Sequence, residues 1–95
     1  MPIAKRSVKD MPHRPMCYGW GEFGEWLYNQ LASHGLNPTD FSKLTGENVA
    51  RQTVDNNLYG RSSPSFQMVC TYCFYLDKEA DPKEIWSLVK EDWGL

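Results

Sequence analysis

Three residues with capping side chains stand immediately before prolines, at Asn37-Pro38, Ser63-Pro64 and Asp81-Pro82, with a glycine at 35 just before the first and glycines at 46 and 60 between the first and second. Inside a helix a proline removes a donor and clashes with the preceding turn, whereas at the first helical position its missing N–H is no loss. Glycine takes the left-handed conformation past a helix end most readily. These marks fence the chain into short helical segments and predict an all-α fold of five helices with no sheet.

The segments are expected at about residues 21–34, 38–45, 49–59, 65–76 and 82–93. In the first, Phe23, Trp26, Leu27 and Leu31 form one apolar stripe, and His34 falls at the C-terminal end, where the helix dipole favours it. The second offers the core little beyond Phe41 and Leu44. The fourth is the most apolar, with Phe66, Val69, Cys70, Tyr72, Cys73 and Leu76 at helical spacing, and is expected to be the central packing helix. In the fifth, Asp81 and Glu84 are placed to form a capping box.

The third segment differs from the rest. Its apolar positions are Val49, Ala50, Val54 and Leu58, and Arg51, Gln52, Thr53, Asp55, Asn56 and Asn57 fill the remainder. Asn and Asp are poor helix formers, so such a helix is a costly way merely to be soluble. Gln and Asn can bond adenine through two atoms, and Arg can do the same to guanine. Arg51, Gln52, Thr53, Asp55 and Asn56 are therefore candidate base-contacting residues. The polar loop after it, with Arg61, Ser62, Ser63 and Ser65, suits backbone phosphates, as do Asn37 and Thr39 at the second helix's positive end.

At these residues the run from Phe23 to Leu76 resembles the lambda-repressor/Cro-like helix-turn-helix domain, the XRE family. Gly35-Leu36-Asn37 matches the family's turn into helix 2, and Phe41 and Gly46 match its core residue and turn glycine. Arg51-Gln52-Thr53-Val54 matches its recognition segment, and Gly60 to Ser65 its exit loop into helix 4. The chain departs from the pattern where Glu47 and Asn48 lengthen the turn, and where Asn57 takes a position normally apolar. The resemblance implies a five-helix domain over residues 17–95 that binds double-stranded DNA and regulates transcription, as repressors of this kind do in prokaryotes and their phages.

The formal charge of −2 is unevenly spread. Residues 1–16 carry Lys5, Arg6, Lys9 and Arg14 against Asp10 alone, whereas residues 77–95 carry twice as many acids as bases. The first sixteen residues, with three prolines and no periodicity, read as a flexible basic arm. Lys5 and Arg6 are candidate phosphate contacts, and an inert tail is the alternative reading. A hydrophobic content of 41% suits one folded domain, and no apolar run approaches the roughly 20 residues of a membrane helix. A cytoplasmic protein without membrane association is expected.

Cys70-Thr71-Tyr72-Cys73 spells C-x-x-C, but a zinc site would have to be completed by Cys17 and His13 with no second C-x-x-C or H-x-x-H, and no βαβ context supports a thioredoxin-type motif. The cysteines read as small core residues, with no metal and no cofactor. No paired carboxylates, nucleophilic triad or glycine-rich phosphate loop is present, so neither an enzyme nor a small-molecule substrate is expected.

Reading two related half-sites requires a homodimer. Trp86 and Trp93 lie a heptad apart on the last helix and, with Val89, are the expected seam; the alternative is that both rings fold back onto the first helix and complete the core. The alternative function is a protein-interaction module, a helical adaptor or antitoxin-like partner that uses the acidic surface and aromatic C-terminus.

Overall fold

The computed structural model describes residues 21–95. The basic arm with Lys5 and Arg6, and likewise His13 and Cys17, lie outside the described residues. Five helices follow in order: α1 Gly21–Ser33, α2 Pro38–Leu44, α3 Arg51–Leu58, α4 Phe66–Leu76 and α5 Pro82–Trp93. No strand occurs among the described residues, and none of these helices is long and apolar enough to cross a membrane.

The expected starts at 38 and 82 coincide with the helices. Asn37 makes a full capping box with Asp40, and Asp81 accepts from the Lys83 N–H. Ser65 stands just outside α4 as its cap, accepting from the Met68 N–H at 3.1 Å. Glu84, by contrast, makes no return bond to Asp81; the Asp81 side chain alone caps α5.

The packing hub is α1, which touches α3, α4 and α5. The fourth helix, expected to be central, gives Val69, Tyr72, Cys73 and Leu76 to the core but leaves Phe74 59% and Phe66 42% exposed. Both ends of α1 are tied across the fold. At its start the Asp92 carboxylate of α5 accepts the backbone N–H groups of Glu22 (2.9 Å) and Phe23 (2.8 Å), seventy and sixty-nine positions away. Gly21, at φ 71°, passes so close to that carboxylate that a Cβ would collide with it. Beyond its end, His34 donates from Nε2 to the Leu76 carbonyl of α4 at 2.6 Å. A carbonyl only accepts, so Nε2 carries the proton.

Phe23, Leu27, Tyr28 and Leu31 of α1 meet Phe41, Val54, Leu58, Val69, Tyr72 and Val89 in one core. Tyr72 lies at its middle, its ring 5.3 Å from Phe41 and 5.9 Å from Phe23. Burial pushes its phenol well above the ordinary range.

Candidate nucleic-acid interface

The turn from α2 to α3 fixes how α3 is presented. Gly46 is left-handed at φ 67°, and the Gly46 and Glu47 N–H groups return to the Lys43 and Ser42 carbonyls. Glu47 is left-handed too, at φ 65°, a conformation that costs a residue with a Cβ about 1 kcal/mol. Thr45 is buried and its hydroxyl donates to the Ser42 carbonyl while accepting from the Val49 N–H. That bond holds Val49 in the turn. The helix therefore opens at Arg51, not at Val49 as the sequence pattern suggests, and Ala50 gives its start no side-chain cap.

Packed against α1 and α2, α3 buries Val54 and Leu58 completely. On the opposite side Arg51, Gln52 and Thr53 are exposed and Asn56 is half-buried. Gln52 reaches Asn56 one turn on, Nε2 to Oδ1 at 3.5 Å, which aligns the two amides. Four of the five residues expected to contact bases thus share an accessible region.

The fifth does not. Asp55 is buried, and its Oδ2 lies 3.8 Å from Nη1 of Arg61. The loop after α3 folds back over this side, since the Arg61 and Ser62 N–H groups both bond the Asn56 carbonyl (2.8 and 3.3 Å). Asp55 is therefore removed from the base-contacting set, and its charge is balanced by Arg61. The Arg61 guanidinium also stands 5.6 Å from the Tyr59 ring centroid, on a side chain still partly open to solvent.

The residue that sequence reasoning missed is Asn57. Nearly fully buried, it donates from Nδ2 to the Ser62 carbonyl at 3.2 Å and accepts from the Tyr72 hydroxyl at 2.9 Å. One amide thereby fixes the Arg61 loop to the centre of the core. Its place at a position where the resemblance expects an apolar residue was the available signal.

Among the expected phosphate contacts, Asn37 is taken by capping: its N–H goes to Asp40 Oδ2 and its Oδ1 accepts from the Asp40 N–H. Thr39 remains, half-buried in the first turn of α2. Ser62 is exposed, the Ser63 hydroxyl donates to the Pro64 carbonyl, and the capping oxygen of Ser65 keeps its proton to donate. The expected seam loses Val89. Val89 is wholly buried in the core, Trp93 is half-buried against it, and Trp86 is half-buried with its ring edge-on to Phe66 at 5.8 Å.

Both cysteines of the C-x-x-C are free thiols, with Cys73 buried and Cys70 half-buried. The Cys73 thiol is pushed up to about 11, by burial first and then by Cys70, Asp77 and Asp81 nearby. Among the described residues no three His, Cys, Asp or Glu side chains converge to hold a metal ion. Comparison of the chain with family models, curated proteins and solved structures finds no match.

Proposed function

We propose that the chain is a sequence-specific DNA-binding regulator of transcription, a repressor built on a lambda-repressor-like helix-turn-helix, which places α3 in the major groove and acts as a homodimer. One observation carries this reading: Arg51, Gln52, Thr53 and Asn56 stand clear on a helix whose other face is anchored in the core, while its acid, Asp55, is turned inward to Arg61. A carboxylate held outward among phosphates would repel them; turned inward, it leaves a face of neutral amides, a hydroxyl and a guanidinium. Arg51 has the geometry to bond guanine O6 and N7, and Gln52 and Asn56 that to bond adenine N6 and N7. Arg61, Ser62 and Thr39 supply backbone contacts that set the register without reading sequence.

Selecting bound oligonucleotides from a random pool with the purified protein tests this directly. The expected result is a palindromic motif with half-site centres about 34 Å apart. A pool that remains random after repeated rounds would overturn it.

The exposed Phe66 and Phe74 on α4 favour a second reading, a helical interaction module. DNA retention that depends on sequence and weakens with salt separates the two.

A further inference from the structure

On α4, Phe66, Cys70 and Phe74 follow one another at intervals of four residues and so share one face. Phe66 and Phe74 are largely exposed and Cys70 is half-buried between them. Beside Cys70 and Phe74 a groove of about 320 Å³ runs between α4 and the start of α5, walled by Ala80 and Pro82 and by Lys78, whose ammonium stands 5.2 Å from the Phe74 ring centroid. Knob and groove therefore occupy the same surface, one helical turn either side of Cys70.

We propose that this face is a homodimer seam, in which Phe66 of each copy enters the groove beside Phe74 of the other and Cys70 lies next to the two-fold axis. This rests on the reading above of the protein as a dimeric DNA binder, and it moves the seam from the Trp86–Trp93 stripe of α5 to α4, with Trp86 behind Phe66.

Two features point to a second copy as the occupant. The first is charge. Across a two-fold axis every group near the axis meets its own like, and none of the eleven residues of α4, FQMVCTYCFYL, carries a charged side chain. Such a helix is electrostatically compatible with itself, and the charged group at the groove wall, Lys78, has its ammonium engaged over the Phe74 ring. The second is size. The two exposed phenylalanines offer roughly 200 Å² of aromatic surface per copy, and with the groove walls this suits a weak, transient pair, below the roughly 800 Å² per partner of a standard interface. The dimer is thus expected to be concentration-dependent and to dissociate on dilution.

The test treats the full-length protein with a short bis-maleimide at rising concentration and measures its mass by analytical ultracentrifugation in parallel. A crosslinked dimer whose linked peptide joins Cys70 to Cys70, which persists in Cys17→Ser and disappears in Cys70→Ser, is the expected result. Phe74→Arg, on an exposed side chain the fold does not need, should raise the dimer dissociation constant at least 100-fold with an unchanged circular dichroism spectrum. A dimer that survives Phe74→Arg, or that crosslinks equally well without Cys70, overturns the seam. So does a protein that is monomeric at every concentration. Pool selection on the same samples separates the two proposals: a monomer that still enriches a motif defeats the seam alone, and a Cys70-linked dimer that enriches none defeats the DNA reading alone.

Discussion

The starts of α1 and α3 are built in opposite ways. The first two N–H groups of α1 accessible to a cap are held by a carboxylate from the far end of the fold, Asp92, and α2, α4 and α5 each carry a capping side chain of their own. Among the helix starts whose preceding residue is described, α3 alone begins on a residue, Ala50, that caps nothing. Its stability comes instead from behind and below, through Val54 and Leu58 in the core and through Asn57 at its last turn. The scaffold helices are fastened at their tips, while the helix proposed to enter the groove keeps its tip clear. Holding a helix by its inner face and its exit, and not by its start, leaves its first turn available to a ligand.

If that contrast is right, the largest effect belongs to Asn57. Asn57→Ala leaves the Tyr72 hydroxyl and the Ser62 carbonyl without their partner, and should lower stability by about 3 kcal/mol in a denaturant titration. The paired change Asn57→Leu with Tyr72→Phe should recover much of that loss. A small effect of the single change would mean that α3 is not held from its exit. Next comes the outward side, where Gln52→Ala should leave stability within about 0.5 kcal/mol. In competition binding the same variant should lose about 1–3 kcal/mol of discrimination at particular bases. Wild-type selectivity would show that the accessible face is not the reading face.

Asp92→Ala removes the distant cap of α1 and should lower stability by about 1.5 kcal/mol, measured as a shift in the urea midpoint without a change in slope. The smallest effect is a gain. Ala50→Asp gives α3 the cap it lacks and should stabilise the fold by about 1 kcal/mol. It should also weaken binding to all DNA sequences alike, because it sets a carboxylate at the exposed start. Should both stability and DNA binding rise, the bare start has no functional meaning.

What was legible in the sequence is the local chemistry: Pro38 and Pro82 open helices, Gly35 and Gly46 close them, and the Phe23, Leu27, Leu31 stripe faces the core. What was not legible depends on pairs distant in sequence. Periodicity assigns every polar residue of α3 to solvent, so it cannot know that Asn57 finds Tyr72 fifteen positions away. Nor can it know that Arg61 returns to cover Asp55. The late start of α3 was hidden for the same reason, since the buried Thr45 hydroxyl claims the Val49 N–H. On α5, the heptad of Trp86 and Trp93 marks a face but not which neighbour covers it, and Val89 on that face belongs to the core.

The Asp92 carboxylate also ties the timing of one helix to the arrival of another. Because α5 supplies the acceptors for the Glu22 and Phe23 N–H groups, the first turn of α1 is complete only after α5 has docked. Contacts across so many residues close late, after the loop entropy between them has been overcome. The cap therefore belongs to the native state more than to the folding transition state, and its loss should quicken unfolding while leaving refolding nearly unchanged. In hydrogen exchange, the Glu22 and Phe23 amides should open in step with those of α5, at a rate set by the departure of α5 and not by fraying of α1 alone.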